Sequence, residues 1–198
     1  VGTWSRKTSS LVPPKTSDPF MAFDPVRARM VMVTSSNNSQ QATWEWDGAN
    51  WSEPLPAGGG TPYNIHQLHW DSVHGRILAI VSGEASTEVW QWNPTNRKWT
   101  RLSFGCAPSS RSSEAVAYLP GRDQLVCFGG GDASTLQDLW AWAPDGSSWR
   151  RYQQTGAWPG PHSGASFAYD STRQRLVLFH GYGTSGFLDE LWLLSFSP

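Results

Sequence analysis

Residues 124–149 read QLVCFGGGDASTLQDLWAWAPDGSSW. A β-branched and aromatic run ends in glycines, a polar stretch leads to a W-x-W pair, and a Pro-Asp-Gly-Ser turn precedes a further tryptophan. Short apolar runs bounded by turn formers read as strands. No segment of the chain keeps a 3.6-residue apolar period, so helix is not a competitor. The W-x-W unit returns as TWEWDGANWSE from Thr43 and VWQWNPTNRKWTR from Val89, a period of about 50 residues that marks a repeat architecture.

A second unit lies upstream of each tryptophan unit: MAFDPVRARMVMV from Met21, LHWDSVHGRILAIV from Leu68, VAYLPGRDQLVCF from Val116 and FAYDSTRQRLVLF from Phe167. Each reads as strand, tight turn, strand, with Pro, Gly, Asp or Ser where the chain reverses. One repeat is therefore four short strands, a to d. Such units carry apolar side chains on both faces and must stack on one another, the pattern of a β-propeller. The paired glycines Gly129 and Gly130 after strand b, the Asp-Leu-Trp opening of strand c and the spaced tryptophan resemble the kelch repeat of bacterial kelch-like proteins. His180 stands in place of the first glycine in the last repeat, and Thr34-Ser35 and Ser82-Gly83 stand there in the first two. The fold expected is all-β, a single propeller domain over 1–198, with blades at roughly 14–56, 63–104, 111–154 and 162–198.

The last repeat lacks strand d. Equivalent turn positions lie 47, 48 and 51 residues apart from Asp24 through Asp71 and Leu119 to Asp170, and 52 when counted past the end of the chain back to Asp24. Trp192 to Trp4 by the same route is 10 residues, against 9 for Trp90 to Trp99 and Trp140 to Trp149. Residues 1–8 are therefore expected to supply the missing strand and close the ring, which removes an open sheet edge. A monomeric four-bladed ring is favoured, and a two-chain eight-bladed ring is the alternative.

Composition narrows the function. The 198 residues are 38% apolar with a net charge of −1, as in a soluble globular protein. Near-neutral charge does not favour nucleic acid, and no apolar run reaches the roughly 20 residues of a membrane helix. The chain begins at Val1 and shows no signal peptide, as expected where a leader has been removed or where the sequence belongs to a larger, secreted parent. Cys106 and Cys127 read as free thiols, the latter in a core strand. Sequons stand at Asn37 and Asn50.

Of 13 tryptophans, the repeat-equivalent ones are assigned to packing between blades. Arg27, Arg29, Arg76, Arg122, Arg173 and Arg175 follow the a–b turns, three of which carry Asp24, Asp71 or Asp170; local Asp-Arg pairing is expected, with an anion-binding face as the alternative. The b–c loops diverge, as SSNNSQQ, GEASTE, GGDASTLQ and GYGTSGF. Divergent loops on a scaffold fixed by packing are where binding is normally placed, and the kelch resemblance implies the same face, with Arg111 in contact with the partner. A mixed polar pocket of Asp18, His66, Arg111, Glu114, His162 and Tyr182 is expected there. Trp158, which has no counterpart in other repeats, is the expected exposed anchor. No phosphate loop, H-E-x-x-H or G-x-S-x-G motif occurs, and the Cys-Tyr pair and the acidic-His cluster of the metal-dependent kelch-fold enzymes are missing. No catalytic residue, metal or cofactor is assigned. The expected function is a non-catalytic module that binds a protein partner; a carbohydrate-binding propeller and a small kelch-fold enzyme are the alternatives.

Overall fold

The computed structural model describes residues 2–16, 18–35, 41–56, 59–131, 134–143 and 148–196. Strands β1 (Phe20–Asp24), β2 (Arg29–Ser35), β3 (Gln41–Trp46) and β4 (Trp51–Leu55) form the first antiparallel sheet in chain order. β5 (Ile65–Asp71), β6 (Arg76–Ser82), β7 (Thr87–Asn93) and β8 (Lys98–Arg101) form the second, and β9 (Ala115–Leu119), β10 (Gln124–Phe128), β11 (Leu139–Ala143) and β12 (Ser148–Arg151) the third. In the fourth repeat come β13 (Ser166–Asp170), β14 (Arg175–Phe179), a hairpin of β15 (Tyr182–Gly183) and β16 (Gly186–Phe187), and β17 (Leu191–Ser195). β13, β14 and β17 make a three-stranded sheet. The all-β, four-blade reading is met. The sequon at Asn37 and the turn at 144–147 lie outside the described residues.

The chain forms two compact units, Val1–Ala79 with Trp90–Thr100, and Ile80–Val89 with Arg101–Pro198. In the first, Asp24 Oδ1 accepts the Val26 and Arg27 amides at 3.0 and 3.1 Å, and its Oδ2 takes Arg27 Nε at 2.7 Å. Asp71, fully buried, repeats this with the Val73 and His74 amides and with Arg76 Nε at 2.8 Å. In the second unit Asp170 accepts the Arg173 amide and guanidinium. The expected Asp-Arg pairing is therefore formed: a short carboxylate satisfies the turn's amides and orients the arginine that follows. The third blade has Leu119 instead, and a 3-10 turn Pro120–Arg122 with Asp123 in the left-handed region takes over.

Each unit carries links from one blade to the next. In the first, the Gln41 side-chain amide both donates to the Ile65 carbonyl at 2.8 Å and accepts the Ile65 N–H at 2.7 Å. Trp99 Nε1 donates to Thr43 Oγ1 at 2.8 Å, and Trp92 Nε1 to Glu45 at 2.9 Å. In the second, Ser82 Oγ donates to the Arg111 carbonyl, and the Gly130 N–H donates to the His162 carbonyl at 2.7 Å. Counted from the a–b turn, Val81-Ser82 and not Ser82-Gly83 matches Gly129-Gly130, so Ser82 and Gly130 are the same position after strand b, and Arg111 and His162 the same position before strand a. Between these links the third and fourth blades bury one apolar cluster, including Leu119, Val126, Phe128, Leu139, Leu176 and Leu178. Trp44, Trp92, Trp99, Trp142 and Trp149 are buried, in keeping with their assignment to packing.

The structure does not show the expected closing strand. Residues 2–8 are in no strand, Trp4 is fully exposed, and β17 pairs with β14 alone among the described strands. The N-terminal segment instead runs beside the first blade, where Ser9 Oγ accepts the Trp51 amide at 3.2 Å. Lys7, Ser9 and Val12 there line a hollow of about 290 Å³ with Met21, Met30, Trp46 and Trp51.

Gly130 has φ +76, and a Cβ there would lie 2.8 Å from Glu114 N and Ser112 O. Gly130→Ala is expected to cost at least about 2 kcal/mol in denaturant unfolding. Gly156→Ala, with φ +70 but open space around it, should cost about 1 kcal/mol. Equal costs at both sites would contradict a close approach at Gly130.

Candidate functional site

Strand β10 is followed by Gly129 and Gly130, both at positive φ. A Cβ on Gly129 would overlap the His162 carbonyl oxygen, so only glycine lets the neighbouring loop come this near. Arg111 is buried in this corner. Its Nη1 reaches Asp138 Oδ1 at 2.6 Å and the Gly129 carbonyl at 3.0 Å; its Nη2 reaches Asp138 Oδ2 at 3.1 Å and Ser109 Oγ at 3.2 Å; its Nε reaches the Ser109 carbonyl at 3.1 Å. The planar fork thus meets a carboxylate in bidentate fashion and has no donor nitrogen directed to solvent. Asp138 also accepts Trp140 Nε1 at 2.6 Å. Burial pushes the Asp138 carboxyl up, but the Arg111 fork and the indole outweigh it and hold it below the usual carboxylate range. The partner contact expected of Arg111 is corrected: the residue is an internal clamp.

Glu114 and His162 are buried beside it. Burial pushes the Glu114 carboxyl up to about 7, against the opposing pull of Arg111. His162 Nδ1 contacts the Gly160 carbonyl at 2.7 Å, and its ring packs on Phe128 with centroids 5.9 Å apart. Neither side chain is presented to a partner, so both belong with Arg111 in the support of the loops. Cys127 is free and buried. Burial drives its thiol far above the ordinary range, which leaves it no nucleophilic character.

Trp158 is also corrected. Its indole N–H donates to the Gln137 carbonyl at 2.8 Å, and its ring lies over Phe128 at 6.5 Å, beside an apolar cavity of about 70 Å³ lined by Leu139, Phe167 and Leu178. It plugs the top of the cluster between two blades and is half-buried. Asp18 and His66 lie in the first unit, Asp18 exposed and His66 half-buried. Burial takes His66 down to about 4, and burial together with the charge of His66 takes His69 to about 4, so both imidazoles are neutral at pH 7.

Tyr182 alone of the expected residues in the second unit is exposed, at 53%. It sits in the b–c loop of the last blade, where its backbone exchanges two hydrogen bonds with Ser163. Three neighbours not anticipated from the sequence join it. Phe187 stands edge-on to Tyr182 with centroids 5.5 Å apart, stacks on His180 at 6.1 Å, and His180 in turn meets Phe179 at 5.9 Å. Phe179, His180, Tyr182 and Phe187 are all exposed. In the third blade the loop is built alike: Leu136 N–H donates to Gly130 O where Leu188 N–H donates to Gly181 O, and Gly131 pairs with Thr135 where Tyr182 pairs with Phe187. Gly129, Gly131 and Thr135 are thus replaced by His180, Tyr182 and Phe187. His180 holds φ +63, a conformation costly for a residue with a Cβ. That departure from the repeat was the available signal.

No family model matches the chain. Among curated proteins it resembles the dynein alpha chain of the flagellar outer arm of Chlamydomonas reinhardtii, 32% identical over 105 residues, which are 52% of this chain and 2% of that protein. Among solved structures it is similar to YjhT, with a TM-score of 0.61 and 14% identity over 96% of this chain and 67% of that one. It is also similar to a chain of the nidogen/laminin complex (TM-score 0.55, 13% identity, 89% and 64% covered) and to TolB from Acinetobacter baumannii (0.54, 12%, 90% and 43%). The chain spans less than two thirds of the latter two and a small fraction of the dynein. These structures are β-propellers, and the likeness shows that fold.

Two outcomes test the buried corner. Arg111→Ala should destabilise the protein by about 3 kcal/mol, since it empties a buried site and leaves the half-buried Asp138 without its cation. Glu114 has a folded-state pKa above its unfolded value, so its ionisation opposes folding, and stability falls as pH rises from 4.5 to 7. Chemical denaturation of wild type and Glu114→Gln should show wild type losing about 3 kcal/mol relative to the variant across that window; a difference independent of pH would contradict the assignment.

Proposed function

We propose that the chain is a non-catalytic binding module that recognises a protein partner through its b–c and d–a loop face, anchored on the b–c loop of the last blade. The observation that carries this reading is the exposed cluster of Phe179, His180, Tyr182 and Phe187 at positions where the third blade has a buried phenylalanine, two glycines and a threonine. His180, Tyr182 and Phe187 lie on the loop itself and are exposed, not packed between blades, and aromatic anchors dominate protein interfaces. Asp18 and Tyr182 remain proposed contact residues, while Arg111, Glu114 and His162 shape the loops beneath. The nidogen/laminin complex is a propeller structure in which a protein meets a protein, and this supports a protein partner.

The kelch-like character of the repeat is part of this proposal. It rests on the positive φ of Gly129 and Gly130 and on the buried Arg111–Asp138 pair. A lectin-like role is the weaker reading: Phe187 is turned edge-on to Tyr182, with an interplanar angle of 85°, so the two do not form one flat platform for a sugar ring.

A protein array and a glycan array probed with the labelled chain decide between them. The expected result is binding to a protein that falls at least tenfold, about 1.4 kcal/mol, in Tyr182→Ser/Phe187→Ser with the melting temperature unchanged. Binding confined to glycans, or protein binding indifferent to both substitutions, would contradict the proposal.

A further inference from the structure

The b–c loops of the third and fourth blades share a backbone and differ in side chains. Leu136 N–H donates to the Gly130 carbonyl at 2.8 Å in one, and Leu188 N–H to the Gly181 carbonyl at 2.9 Å in the other. On that common frame Gly131, Thr135 and Gln137 correspond to Tyr182, Phe187 and Asp189. The third blade has the fourth packed against it, yet Gly131 and Thr135 are only half-buried and Gln137 is exposed. These positions reach solvent even beside a packed neighbour, so the exposure of Tyr182, Phe187 and Asp189 is a property of the loop.

Tyr182 is 53% exposed and Phe187 82%, with their rings at 85° and centroids 5.5 Å apart. Two rings set in this way form a corner, and the face of each carries the negative pole of its quadrupole. The charges beside them have one sign. Asp189 and Glu190 follow the hairpin directly and are exposed, and the His180 N–H donates to the Glu190 carbonyl at 3.3 Å, which fixes them at the hairpin's foot. No lysine or arginine occurs between Phe179 and Trp192. Aromatic faces next to carboxylates suit a cation.

The third blade indicates which cation. Glu190 is the counterpart of Asp138: each carboxylate accepts the indole N–H of the tryptophan two residues on, Trp192 at 2.7 Å and Trp140 at 2.6 Å. Asp138 also receives the fork of Arg111, whereas the last blade has His162 at the arginine's position, its Nδ1 against the Gly160 carbonyl. Among the described residues Glu190 meets no cation. One blade completes its carboxylate–guanidinium pair from within; the next keeps the carboxylate, brings it to the surface and omits the arginine. We propose that an arginine of the protein partner fills this place, its guanidinium against the Tyr182 and Phe187 rings and its N–H groups on Glu190 and Asp189. The inference rests on the hairpin being the partner-binding loop, and it adds the partner's chemistry: a basic, arginine-bearing segment. Arginine fits better than lysine because its planar fork stacks on a ring and bonds carboxylates at once.

Labelled Gly-Ser peptides with blocked ends, carrying three arginines, three lysines, three glutamines or three glutamates, are titrated with the full chain and followed by fluorescence anisotropy. The arginine peptide should bind at least about tenfold more tightly than the glutamine peptide, with the lysine peptide between them and the glutamate peptide unbound. Asp189→Asn/Glu190→Gln, which keeps an acceptor for the Trp192 indole, should remove most of that preference at an unchanged melting temperature. Tyr182→Ser/Phe187→Ser should do the same, while Tyr182→Phe retains it. Glu84→Gln, at an exposed acid of another loop, should leave it as it is. Equal affinity for the arginine and glutamine peptides, or an arginine preference that survives both double substitutions, overturns the inference. The two readings fail separately. A protein captured on the array through Tyr182 and Phe187 while the arginine peptide does not bind overturns the arginine contact and leaves the binding loop standing; capture indifferent to both rings overturns the loop and the arginine contact together.

Discussion

The hydrogen bond from the Gly130 amide to the His162 carbonyl, with its counterpart from Ser82 to Arg111, is the contact on which the second unit depends. A strand of one blade ends, and its last polar group holds the backbone that opens the next. For this the two segments must approach within a distance that no Cβ allows at Gly129, which explains why glycine stands there. The Arg111–Asp138 clamp sits directly behind, and each guanidinium nitrogen there has a protein partner. Buried ion pairs of this kind add little net stability but are costly to break. Their effect is to fix one arrangement of backbone, from which the loops above take their positions.

Much of this fold was legible because repetition multiplies weak signals. One W-x-W pair says little; three at a common period, each after a strand-turn-strand unit, define a blade. The Asp-Arg turns were legible for the same reason, since Asp24, Asp71 and Asp170 serve the same amides. The site was less legible. Arg111, Glu114 and His162 are polar residues beside divergent loops, and sequence alone does not say that they point inward. What reveals it is long-range partnership, as with Arg111 and Asp138, 27 residues apart. Trp158 misled in a related way: unique in sequence, it serves to cap a junction between blades.

The residues that matter most for binding in this account were hidden by the repeat itself. His180, Tyr182 and Phe187 stand where glycine or threonine suffices in the third blade, and their aromatic character adds nothing to the hairpin's hydrogen bonds. A substitution that keeps a loop's backbone while enlarging and exposing its side chains alters recognition and leaves folding alone. The periodicity led to an expected closing strand from residues 1–8, and among the described residues 2–8 are in no strand.

Hydrogen exchange read by mass spectrometry tests the separation between a fixed corner and a presented loop most directly. The account predicts slow exchange at the amides of residues 129–131 and 162–163, whose donors are taken up by neighbouring backbone, and faster exchange at 184–187 on the exposed hairpin. Slow exchange across 184–187 with rapid exchange at Gly130 and His162 would contradict it.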